Sequence, residues 1–119
     1  MQTAMMRRET VVGEEVVRFM EEHVDNPTKL ELLFFWSRHP KTRFTLRTIT
    51  GFINGIRPSE IERNLESLTN SGLVSKWMPP SGGILYGIAG VYEVQAKMVE
   101  LAKCSRYDLN YCFRSLGKR

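Results

Sequence analysis

Long apolar runs are missing from this sequence. None approaches the ~20 residues that cross a bilayer. The paired arginines in "MQTAMMRRETVV" have no apolar block behind them, so neither a membrane span nor a signal peptide is expected. Cysteine is scarce. Cys104 and Cys112 are the two present; they form no CxxC pair and match no zinc spacing. A disulfide scaffold is not expected, and a reducing cytoplasm fits. Both are expected as small buried residues, with a redox- or effector-sensing thiol as the alternative. No nucleophile stands beside a base. Gly82-Gly83, Gly87 and Gly90 lack the lysine and spacing of a phosphate-binding loop. No catalytic residue, metal or cofactor is therefore expected.

Acidic residues are also missing from one long segment. Residues 32–59 hold Arg38, Lys41, Arg43, Arg47 and Arg57 and no acid, a local charge of +5. Residues 1–31 carry −3, residues 60–66 carry −2 and residues 67–119 carry +4, for a total of +4. The local excess is larger than the total. A basic middle and tail admit a polyanionic partner.

What is present is a moderately apolar chain: 119 residues, 42% apolar and 25% charged, enough for one domain with one core. The periodicity predicts a first helix over 9–24, with Val12, Val16, Phe19 and His23 on one stripe, widened by Met20 and Val24. His23 is read there as a packed histidine rather than a ligand. Asn26 is a good N-cap and Pro27 suits the first position of a second helix. In "TKLELLFFWSRH" the apolar residues cover nearly the whole circumference, which predicts a central helix buried on several sides. Phe34, Phe35 and Trp36 are then core rather than a base-stacking platform. His39-Pro40 ends that helix, with His39 solvated or in contact with phosphate. Thr45 can cap a third helix reaching about Ile53, with Leu46, Ile49, Phe52 and Ile53 buried and Asn54-Gly55 as its exit. A fourth helix has Ile61, Leu65 and Leu68 as its inner stripe and Gly72 as its close. Its start reads two ways: Ser59 and Glu62 as a capping box, or Pro58 at the first position behind Arg57, a poor cap. Two strands, "LVSKWM" and "ILYGIA", flank the turn "PPSGG". Trp77 and Tyr86 are expected to face each other across that hairpin or to pack beneath it. A fifth helix follows, with Val91, Val94, Met98, Leu101 and Ala102 on one side. The last segment adds a short sixth helix or trails off. Met1, Met5 and Met6 are expected to be disordered.

The run "FTLRTITGFINGIRPSEIERNLESLTNSGLV" resembles the helix-turn-helix core of winged-helix DNA-binding proteins. The matching features are Thr45-Leu46 opening the positioning helix, Ile49, the Gly55-Ile56 turn, Pro58-Ser59 with Ile61, the spacing of Leu65 and Leu68, and the Gly72-Leu73-Val74 exit. The resemblance covers about residues 27–90. It implies a mainly α fold with a small β-hairpin: an N-terminal helix (9–25), a winged-helix core (27–90) and a C-terminal helical extension (91–119). It also implies sequence-specific binding of double-stranded DNA by a transcriptional regulator, with helix 58–71 in the major groove. Terminal helices of this kind imply a homodimer.

The helical wheel separates the faces. Opposite Ile61, Leu65 and Leu68 lie Ser59, Arg63, Ser67 and Asn70, with Glu66 adjoining; these are the candidates for base reading. Arginine can pair bidentately with guanine, asparagine with adenine, and a carboxylate can accept from cytosine. Candidates for phosphate contact are Arg43, Thr45, Arg47, Thr48, Arg57 and Lys76. Glu60 and Glu62 lie toward the rim, where the positive helix start favours carboxylates. The wing turn has no basic residue, so the wing touches DNA weakly or serves a protein contact. A winged helix used purely for protein interaction is the rival reading.

Overall fold

The computed structural model describes residues 12–117. Met1, Met5 and Met6, and residues 9–11 of the expected first helix, lie outside the described residues. The order is α1 (Glu14–His23), α2 (Pro27–Ser37), α3 (Leu46–Phe52), α4 (Pro58–Asn70), β1 (Val74–Trp77), β2 (Leu85–Ile88), α5 (Tyr92–Ala102) and α6 (Arg106–Ser115). In α1, Val16, Phe19 and Met20 are buried, and the His23 ring lies on Phe19, centroids 5.1 Å apart.

Helix α2 is the hub. Leu32, Leu33 and Trp36 are fully buried, and α2 packs against both α4 and α5. Its start is fixed by Asn26, whose side-chain oxygen accepts from the Lys29 N–H at 2.9 Å, with Pro27 at the first position. Its end is tied to the end of α5: the Arg38 guanidinium donates to the carbonyls of Ala102 (3.1 Å) and Cys104 (3.0 Å). The Ala102 carbonyl is one that the end of α5 leaves unpaired.

Thr45 caps α3 as expected, accepting from the Thr48 N–H at 3.2 Å. Ile49 and Ile53 face the core, and Leu46 is half-buried. Phe52 is a correction: it is 60% exposed rather than part of the buried face. Its ring lies on Phe35 at 5.2 Å, in a surface cluster with His39 and Phe44, so it is satisfied by aromatic contact outside the core. The chain turns through Gly55 (φ 85°) into α4.

Helix α4 starts in the second of the two ways expected. Pro58 occupies the first turn, and the Arg57 N-cap makes no side-chain capping bond; the Ser59–Glu62 box is not formed. Ile61, Leu65 and Leu68 are buried, each such side chain contributing roughly 1.5–3 kcal/mol. Gly72 (φ 88°) closes the helix, and the Leu73 N–H reaches the Leu68 carbonyl at 3.0 Å, the bond that commonly accompanies a left-handed glycine end.

Strands β1 and β2 are antiparallel in the register Val74↔Ile88, Ser75↔Gly87, Lys76↔Tyr86, Trp77↔Leu85. Phe44 adds a third, one-residue edge, exchanging two 2.8 Å hydrogen bonds with Tyr86. This register corrects the expected Trp77–Tyr86 pair. Lys76 stands opposite Tyr86, so alternation sends Trp77 to the other face. Tyr86 is buried, whereas Trp77 is 46% exposed.

Helix α5 buries Met98 and Leu101, with Val94 half-buried; Val91, at the N-cap, and Ala102, at the last position, are exposed rather than on the packed side. The closing segment does form a helix. Ser105 caps α6 by accepting from the Asp108 N–H at 3.1 Å, and Leu109, Cys112 and Phe113 are its buried face. Cys104 and Cys112 are buried, and burial pushes both thiols above their ordinary pKa. That is the environment of an inert packing residue rather than a reactive thiol.

Candidate nucleic-acid interface

The surface opposite the α4 core stripe is polar. Ser59, Arg63 and Asn70 are exposed, and Ser67 and Glu66 are partly covered. The wheel thus places the face correctly, because a packed helix must turn one side away. What the wheel misses is how the polar groups pair. Arg63, 71% exposed, forms an ion pair with Glu60 one turn back. Glu60 also meets Asn64, which is buried on the inner side of the helix and donates to the Glu60 carbonyl at 2.8 Å. The Arg63 guanidinium holds the Glu60 carboxyl below its usual range.

Glu66 and Lys76, expected on bases and phosphates respectively, are brought to each other at 2.7 Å. The Tyr86 hydroxyl stands 3.5 Å from the same carboxylate. The hydrogen bond to Glu66 raises the Lys76 pKa, and burial raises that of Tyr86. This group joins α4 to the hairpin, and its two charges already satisfy one another.

The remaining phosphate candidates are spread around the start of α3 and the turn. Arg47 and Arg57 are exposed, and Arg47 has no ion-pair partner among the described residues. Thr45 spends its oxygen on capping, with the Thr48 hydroxyl 3.1 Å away. Arg43 is placed by the sheet. It precedes Phe44 on the edge, so it shares the outer face with Gly87 and Trp77. A Cβ on Gly87 would lie 3.0 Å from the Arg43 side chain, and the guanidinium rests 5.0 Å from the centre of the Trp77 ring. The hairpin, whose turn carries no charge, therefore borrows a cation for its outer face from the segment before α3. Sequence reading missed Trp77 and Gly87 in this role, and missed Asn64. Asn64 had a readable signal: a polar residue three after Ile61 and four before Leu68 needs a buried partner.

His39 is exposed, with its ring against Phe35 at 5.3 Å and Phe44 at 5.8 Å. Among the described residues no three His, Cys, Asp or Glu side chains form a metal-binding group, and no helix is long and apolar enough to cross a membrane.

No family model matches the chain, and no curated protein matches it. Among solved structures, the fold is similar to that of the heme sensor protein PefR, in its crystal structure with heme and carbon monoxide. The TM-score is 0.52 at 10% identity, over 98% of this chain and 88% of that one. At that identity the likeness concerns the fold. The fold class is mainly α with a small β-hairpin: a winged helix-turn-helix core with helices added at both ends.

Proposed function

We propose that the chain is a non-enzymatic transcriptional regulator of the cytoplasm that binds double-stranded DNA sequence-specifically and needs no cofactor. Helix α4 enters the major groove. Ser59, Arg63, Ser67 and Asn70 meet base edges, while Arg43, Arg47, Thr48 and Arg57 meet phosphates. Glu66 and Lys76 act instead as the pin between α4 and the hairpin. Two copies join through the terminal helices, where the exposed Tyr92 and Val99 of α5 offer apolar surface. The observation that carries this reading is the division of α4. Ile61, Leu65 and Leu68 are buried, and Ser59, Arg63 and Asn70 project from the opposite side, beside a segment of +5 with no acid.

The test is a titration with mixed-sequence duplex DNA at two salt concentrations. Binding that weakens steeply with salt supports the reading, since each phosphate neutralised releases counterions. No binding even at low salt rejects it in favour of the second reading, a winged helix that binds another protein. The observation favouring that alternative is the hairpin tip, where Met78 is 69% exposed beside the uncharged turn.

A further inference from the structure

We propose that Glu60 is a positioning residue for Arg63, holding its guanidinium ready for a guanine edge. This rests on the reading of α4 as the DNA-reading helix. The Glu60 carboxylate is fixed at both oxygens: Oε1 accepts from Arg63 Nη2, and Oε2 accepts from Asn64 Nδ2 at 3.2 Å. Asn64 is itself immobilised. It is buried, its amide also donates to the Glu60 carbonyl at 2.8 Å, and its Oδ1 accepts from Asn26 Nδ2 at 2.9 Å. Asn26 is in turn the α2 cap, accepting from the Lys29 N–H. An exposed arginine is thus referred, through one carboxylate and two amides, to the start of the central helix.

Stability does not account for this arrangement. Exposed ion pairs at this spacing contribute little. A glutamate in the first turn could also reach back to the N-cap, the ordinary use of that position, yet the two Glu60 oxygens go to Arg63 and Asn64. Glu60 faces forward, to the one arginine on the reading face. An arginine already oriented by a carboxylate loses less rotamer freedom when it forms two parallel bonds to a base. A negative charge beside the DNA backbone weakens association with any sequence, so its benefit must appear in selectivity.

The experiment uses Glu60→Gln. Arg63 and Asn64 donate to different oxygens of Glu60; glutamine replaces one of these with an NH2 that cannot accept and removes the charge that draws the guanidinium. A preferred site is first selected from randomised duplexes with the unaltered protein, and the base contacted by Arg63 is located as the position relaxed by Arg63→Ala. Preference for guanine there is expected to fall at least about fivefold in Glu60→Gln, within the discrimination that a bidentate pair supplies. Affinity for unrelated DNA is expected to stay level or rise, and Glu60→Gln added to Arg63→Ala should change nothing further. Unchanged guanine preference, or an equal loss at every position, overturns the proposal. A second readout needs no DNA: ¹⁵N relaxation at Arg63 Nε is expected to show a restrained side chain that becomes mobile in Glu60→Gln. Equal mobility in both proteins overturns the positioning role whatever the DNA result. Absence of DNA binding by the unaltered protein, with Arg63 restrained, instead rejects the reading of α4.

Discussion

Lys76 Nζ lies 2.7 Å from the Glu66 carboxylate, and this contact fixes the hairpin to α4. The two residues are ten positions apart, on different elements, and each looks like a DNA contact when its own element is read alone. Their pairing gives them a structural task. Lys76→Met is expected to lower the urea midpoint slightly at neutral pH. The sign with pH follows from the raised Lys76 pKa. The contribution is fully present below the lysine's unfolded value and is lost as pH rises through the higher folded value. The difference between the unaltered and Lys76→Met proteins should therefore disappear in strongly alkaline solution and persist at pH 7. Urea titrations at both pH values check this.

Asn64→Ala removes a buried amide with three partners and leaves the Asn26 Nδ2 group facing the gap. Asn26 is part-exposed and its amide keeps Asp25 Oδ1 at 3.2 Å, so the cost is that of the lost hydrogen bonds, about 1–3 kcal/mol together. The expected outcome is a loss of that size in unfolding free energy, measured by urea denaturation with an unchanged slope.

Leu65→Ala and Arg63→Ala test the orientation of α4 directly. Leu65 is fully buried, so its truncation should cost roughly 2–5 kcal/mol. Arg63 projects into solvent, and its truncation should change stability by no more than about 0.5 kcal/mol. Thermal or urea unfolding of the two variants distinguishes them; comparable losses would mean that α4 is turned the other way.

Much of this architecture is legible in the sequence, because caps, glycine exits and apolar spacing are local signals. Asn26, Thr45, Gly55 and Gly72 each do the job that their neighbours indicate. What escapes a linear reading depends on register and on contacts between elements. Phe52 fits a helical stripe, yet it lies over an aromatic cluster at the surface. Trp77 and Tyr86 fall on opposite faces because the pairing places Lys76 across from Tyr86. Of the candidate reading face, the outward residues are legible. The ties of Glu66 to Lys76 and of Glu60 to Arg63 and Asn64 are not, since a wheel shows direction and not partners.

Gly87→Ala probes the borrowed cation. The added methyl would meet the Arg43 side chain at 3.0 Å, displacing it from Trp77. Trp36 is fully buried, so acrylamide quenching reports mainly on Trp77. Quenching is expected to increase in Gly87→Ala and in Arg43→Ala. If Arg43 meets a phosphate, Arg43→Ala should also lower the salt slope of DNA binding by about one unit.

The most direct measurement compares Arg63→Ala with Arg47→Ala on a selected duplex and on single-base variants of it. The account predicts that losing Arg63 costs about 1–3 kcal/mol and relaxes preference at one base pair. Losing Arg47 should weaken all the duplexes alike and reduce the salt slope by about one unit. Identical behaviour of the two variants, or an unaltered protein that ignores every duplex at low salt, would contradict it.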